Sequence, residues 1–175
     1  MKEELKEKID YSIGLLRKAE KIALHYSQDG FYLAFSGGKD SEVLYELAKL
    51  AGVKFKAHMQ LTSVDPPEVI RFVRTHYPEV VLHRPEKSIY RLIREKGMLP
   101  TRRVRYCCQV LKEQAGKGTV TLLGIRAAES PRRAKRPEFA AGYNPLEMDQ
   151  FNIDREKFIS CVGGRDKIML SPILQ

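Results

Sequence analysis

The stretch Ser36-Gly37-Gly38-Lys39-Asp40-Ser41 constrains this chain more than any other, because an apolar run, Phe31-Tyr32-Leu33-Ala34-Phe35, gives way there to a helical pattern. Two successive glycines allow positive φ angles and the close approach of a ligand to the backbone. The helix that begins near Asp40 leaves its first amide N–H groups free to hold an anion. Lys39 and the hydroxyls of Ser36 and Ser41 complete an anion site. A plain strand-to-helix turn is the competing reading, but such a turn needs one glycine and none of these polar side chains. The Gly-x-x-x-x-Gly-Lys-Ser/Thr spacing of a Walker loop is absent, which disfavours an ordinary nucleoside triphosphatase.

Val43, Leu44, Leu47, Ala48 and Ala51 give the helix after the loop one apolar face, stopped by Gly52, and residues 55–60 read as a second strand. Strand, loop, helix and strand make a βαβ unit with parallel strands and a right-handed crossover. Ligands of such sheets bind beyond the carboxyl ends of the strands, where Ser36–Ser41 falls. Leu61-Thr62-Ser63 leaves the second strand at the same crevice, so Thr62 and Ser63 are binding candidates. The structural alternative has Ser63 or Asp65 capping the next helix, with Pro66-Pro67 in its first turn.

Residues 80–83 read as a third strand, 88–96 as a short helix ended by Gly97, 103–114 as a further helix and 119–123 as a fourth strand ended by Gly124. Gly124-Ile125-Arg126 therefore also lies at a strand's carboxyl end. Arg126 is expected in the crevice opposite the glycine loop, where its planar fork suits phosphate or sulfate oxygens. Glu129, Ser130, Arg132 and Arg133 follow on a segment too polar and basic for a core. Residues 134–159 read as a long connection and a candidate lid, and 167–170 as a last strand. Ahead of these elements, Leu5, Ile9, Ile13, Leu16, Ala19, Ile22 and Ala23 recur at helical spacing. The expected organisation is an amphipathic helix over 1–28 packed on a nucleotide-binding domain over 29–175. Histidines 25, 58, 76 and 83 lack metal-ligand spacing and read as structural.

Lys and Arg outnumber Asp and Glu by 31 to 22 in 175 residues, and much of the excess is grouped, at Arg102, Arg103 and Arg105 and at Arg132, Arg133, Lys135 and Arg136. The partner is expected to be acidic, although charge alone does not choose between a small phosphorylated ligand and a polynucleotide. No apolar run approaches the ~20 residues that cross a bilayer, the N-terminus lacks a signal-peptide core, and three cysteines make no disulfide framework. A cytoplasmic protein with no membrane partner is the expectation.

Ser-Gly-Gly-x-Asp-Ser after a first strand resembles the pyrophosphate loop of the adenine nucleotide alpha-hydrolase (ATP pyrophosphatase) superfamily. Residues 62–68 (Thr-Ser-Val-Asp-Pro-Pro-Glu), 105–112 (Arg-Tyr-Cys-Cys-Gln-Val-Leu-Lys) and 124–130 (Gly-Ile-Arg-Ala-Ala-Glu-Ser) are similar, in the same order, to segments of its phosphoadenosine phosphosulfate (PAPS) reductase-like branch in bacteria and phages. The resemblance runs from Phe31 to the C-terminus. It implies a three-layer α/β/α domain with a central, mostly parallel sheet and an adenine nucleotide as ligand: ATP, adenosine phosphosulfate or PAPS. With ATP, Ser36, Gly37, Gly38, Lys39 and Ser41 would hold the β- and γ-phosphates and Asp40 would help hold Mg²⁺. Arg126 and Arg133 would stabilise the α-phosphate or the acceptor. Thr62, Ser63, Gly124 and Glu129 would complete the nucleotide site, with Lys39, Asp40 and Arg126 as its catalytic residues.

Cys107-Cys108 resembles half of the iron–sulfur site of adenosine phosphosulfate reductases, which add a later Cys-x-x-Cys. This chain has no Cys-x-x-Cys, and Cys161 is its one other thiol. Two readings stand: buried small residues, or part of a cluster whose other ligands lie in a segment the chain lacks. The family usually continues past Ser171-Pro172-Ile173 into a tryptophan-containing stretch, so a truncated or minimal member is expected. Its sulfonucleotide reductases use a nucleophilic cysteine near the C-terminus, unmatched here, and their loop usually departs from Ser-Gly-Gly-x-Asp-Ser. Both departures favour ATP, cleaved between the α- and β-phosphates to adenylate an acceptor. The alternatives are sulfonucleotide reduction, a nucleic-acid modification (thiolation) factor whose partner supplies the substrate strand or sulfur, and an inactive nucleotide-binding remnant.

Overall fold

A computed structural model describes residues 2–101, 103–136, 138–141 and 168–174. The order is α1 (Lys2–Tyr26), β1 (Phe31–Ala34), α2 (Lys39–Ala51), β2 (Phe55–Gln60), α3 (Pro67–His76), β3 (Val81–His83), α4 (Ile89–Lys96), α5 (Tyr106–Leu111) and β4 (Val120–Leu122). A 3₁₀ turn (Ala127–Glu129), α6 (Pro131–Ala134), β5 (Phe139–Ala141) and β6 (Ile168–Leu170) follow. The strands form one sheet in the order β3-β2-β1-β4-β6-β5. Every pair is parallel except β5 with β6 at the edge. This is the mostly parallel sheet of a three-layer α/β/α domain, as the sequence implies.

Strand periodicity divides the molecule. Side chains alternate across a sheet, so Phe31, Leu33, Ala57, Met59, Val120, Leu122, Ile168 and Leu170 all enter the main core and are at most 3% exposed. The helices meet them there with Leu16, Ala19, Ile22 and Ala23 of α1, Leu44, Leu47 and Ala48 of α2, and Val73 of α3. α1 packs against α2, β1 and β4. The intervening strand positions, Tyr32, His58, Gln60, Thr121 and Met169, line a cleft on the opposite face. A second, small core of Ile89, Leu92, Tyr106 and Leu111 joins α4 to α5.

The structure corrects several local expectations. Neither Ser63 nor Asp65 caps α3, whose N-cap position is Pro66 with no side-chain bond. Asp65 instead accepts from the Thr62 amide, and the Ser63 hydroxyl accepts from the Ile89 amide at 3.0 Å, at the start of α4. Pro67 already removes one of the N–H groups a cap would serve. The helix expected over 103–114 is confined to Tyr106–Leu111. Turns follow it, with Gly116 and Gly118 at φ of 74° and 69°. The connection expected over 134–159 begins with the end of α6 and with β5, which pairs with β6; residues 142–159 lie outside the described residues.

Candidate functional site

The glycine loop joins β1 to α2, and its shape is fixed from within. Gly37 has φ of 71°, and a Cβ there would lie 2.9 Å from Val69 Cγ1 and 3.0 Å from Val73 Cγ2. Both the dihedral and the contact with α3 demand glycine. Gly38 takes the N-cap position of α2 without a side-chain cap. Its carbonyl accepts from the amides of Ser41 and Glu42 at 2.9 and 3.1 Å. Ser41 Oγ donates to the same carbonyl at 2.7 Å and lies 3.2 Å from both Ser36 N and Ser36 Oγ. Ser41 is only 4% exposed, and its hydroxyl braces the loop from within. The Lys39 side chain is exposed at the first residue of α2. Beside it lie first-turn amides that a helix leaves for an anion.

Across the loop stands the exit of β4. A Cβ on Gly124 would sit 3.0 Å from the Asp40 carbonyl oxygen and 3.4 Å from the Ser41 amide nitrogen, so two backbones touch where only glycine fits. This contact places Arg126 beside the loop, with Nε 3.1 Å from Asp40 Oδ1. That Nε is shielded from solvent and forms no aligned hydrogen bond, so Asp40 holds it as an ion pair. The Glu129 carboxylate accepts from the Arg126 amide at 3.2 Å and pairs with the Arg133 guanidinium. Arg133, and after it the Arg126 amide, hold Glu129 below the usual carboxylate pKa. Asp40, Gly124, Arg126, Glu129 and Arg133 therefore form one connected chain of contacts.

Ser36, Glu129 and Arg133 line a cleft of about 1290 Å³ over the polar sheet face. On its floor Tyr32 and His58 stack face to face, centroids 4.1 Å apart and planes 3° apart. Gln60 Nε2 donates to Tyr32 Oη at 2.8 Å, and His58 Nδ1 lies 2.8 Å from His83 Nε2. Burial, then His83 and Lys56, pushes the His58 pKa down to about 4, so the ring is neutral at pH 7. Thr121 is 4% exposed, and its Oγ1 has no partner among the described residues. Sequence reasoning set these histidines aside. The missed signal was the alternation Lys56, His58, Gln60, which marks a strand face that is not core.

Other candidates lie elsewhere. Thr62 and Ser63 do not line the main cleft. Ser63 adopts a left-handed φ of 67°, and it borders a separate hollow of about 320 Å³ with Asp65, Arg84 and Ser88. Cys107 lines the main cleft and packs on the small core. Its sulfur lies 4.0 Å from that of Cys108, which in turn lies 3.3 Å from Arg105 Nη2. Among the described residues no group of three His, Cys, Asp or Glu could hold a metal ion, and Cys161 lies outside them. Two adjacent thiols do not supply the four ligands of a cluster. For Mg²⁺, Asp40 offers one carboxylate in contact with Arg126, which fits an ion held mainly by substrate phosphates.

A family model, the phosphoadenosine phosphosulfate reductase domain, matches residues 30–146. That span takes in the glycine loop, the paired cysteines, Arg126 and Arg133. No curated protein matches the chain. Among the described residues no helix is long and apolar enough to cross a membrane.

Proposed function

Since the chain belongs to the phosphoadenosine phosphosulfate reductase domain family, a nucleotide-binding family, we propose that it binds ATP at Ser36–Ser41 and transfers the adenylyl group to an acceptor. The observation that carries this reading is the loop: Gly37 and Gly38 at the N-terminus of α2, beside exposed Lys39 and faced by Arg126. In the reaction an acceptor oxygen attacks the α-phosphorus and loses its proton to solvent. The bond from that phosphorus to the bridging oxygen breaks, and pyrophosphate leaves with the electron pair.

The loop amides and Lys39 stand where negative charge grows on the leaving pyrophosphate, the kind of preorganised stabilisation that lowers barriers most. Arg126 and Arg133 neutralise the α-phosphate, and Asp40 orients Arg126 while offering a carboxylate to Mg²⁺. Bound Mg²⁺ would neutralise the phosphates. The family match itself favours a second reading, a sulfonucleotide as the ligand at the same loop. Incubation of the purified chain with Mg-ATP, with the products resolved by chromatography, tests the reaction. Pyrophosphate, with AMP formed where water takes the acceptor's place, supports cleavage between the α- and β-phosphates; ADP and orthophosphate contradict it.

A further inference from the structure

Cys107 and Cys108 carry chemistry that the nucleotide reading leaves unused. They sit in the first turn of α5, both half-buried, with their sulfurs 4.0 Å apart. Arg105 Nη2 donates to Cys108 Sγ at 3.3 Å, so a thiolate formed there has a guanidinium as its counter-charge. Cys107 packs against the small core of Ile89, Leu92, Tyr106 and Leu111. Arg105 and Cys107 both line the main cleft, through which a small reagent reaches the pair. Among the described residues no third ligand joins them into a metal site.

The alternative chemistry of two neighbouring thiols is to join. The Cα atoms of adjacent residues lie ~3.8 Å apart, short of the ~4.4–6.8 Å that ordinary disulfides span. A bridge there is strained, and strained bridges are the ones that thiols readily reverse. It also disturbs the local backbone, because the amides of Cys108 and Gln109 donate to the Arg105 carbonyl at 3.1 and 3.3 Å. We propose that Cys107 and Cys108 form a reversible two-electron redox site whose substrate is a low-molecular-weight disulfide, and that its oxidation reshapes the cleft wall at Arg105. Cys108 Sγ attacks one sulfur of the disulfide, whose S–S bond breaks and whose other half leaves as a thiolate. Cys107 Sγ then attacks Cys108 Sγ, and the second half leaves. Each cysteine releases its proton to solvent and each leaving thiolate takes one up, so the pair loses two electrons and the reagent ends as two thiols. The inference stands whichever nucleotide the glycine loop holds.

Treatment of the reduced full chain with glutathione disulfide, in a Cys161→Ser background that removes the other thiol, tests it by peptide mass. Trypsin cuts after Arg105 and Lys112, so one peptide, 106–112, carries both cysteines. The expected product is that peptide two hydrogens lighter than its reduced form, restored by dithiothreitol. Cys107→Ser should stop at a glutathione adduct on Cys108, and Arg105→Gln should slow the first step about tenfold. A persistent adduct with both cysteines present, a bridge between chains, no reaction, or an unchanged rate in Arg105→Gln overturns the redox site. Hydrogen exchange of the oxidised chain reads the effect on the wall. The amides of Cys108 and Gln109 should exchange at least about tenfold faster than in the reduced chain, with those of β2 unchanged. Equal exchange in the two forms overturns the coupling to the cleft.

Discussion

The Arg126 guanidinium reaches Asp40 at 3.1 Å because Gly124, two residues earlier, lies directly on the Asp40 backbone. The glycine loop and the basic segment after β4 thus meet through one backbone contact and one ion pair. A methyl group at residue 124 meets main-chain atoms, which cannot rotate away. Gly124→Ala should cost about 1–3 kcal/mol and separate Arg126 from Asp40. Chemical denaturation and nucleotide titration check this, with stability and affinity expected to fall together.

Ser41→Ala should destabilise the fold while leaving Lys39 and the loop glycines in place. The hydroxyl is buried, and its loss strips Ser36 N of its partner within the loop, at about 1–3 kcal/mol. Ser36 is exposed, so Ser36→Ala should cost less. Urea midpoints of the two variants compare them directly.

The His58–His83 pair predicts a pH dependence with a definite sign. His58 titrates near 4 in the folded chain and from its ordinary 6.5 when unfolded, with burial as the first cause and His83, Lys56 and Asp29 as its charged neighbours. The unfolded state takes up the proton first, so stability rises with pH across this window. The contribution is fully present above about 6.5 and is lost as pH falls toward 4. Thermal melts of the wild type should show this decline, and His58→Gln should flatten it relative to wild type.

Much of this was legible from residues alone. The apolar run into Ser36–Ser41 located β1 and the loop, and Gly52 and Gly97 ended α2 and α4 in the left-handed conformation expected of such stops. Arg126 beside the loop followed from strand polarity. Ser41 was harder: a hydroxyl in a phosphate-loop pattern does not reveal whether it faces the ligand or the loop, and here Gly38 and Ser36 take it. Ser63 and Asp65 misled for a related reason: the partner of Ser63 is the Ile89 amide at the start of α4, while Asp65 turns back to the Thr62 amide. The Tyr32–His58–His83 assembly depends on register across three strands, His58 opposite Ala34 on one side and Val81 on the other. No local pattern contains that information.

Whether the loop holds a nucleoside triphosphate is decided by calorimetric titration of anaerobically purified protein. Mg-ATP, adenosine phosphosulfate and PAPS are compared on the wild type and on Lys39→Ala. Lys39 is exposed, so its removal should leave the melting temperature unchanged while lowering ATP affinity about tenfold or more, the loss of a charge-assisted contact. ATP is expected to bind tightly and in preference to both sulfonucleotides, and more weakly in the variant. Selective binding of a sulfonucleotide, or ATP binding indifferent to Lys39, would contradict it.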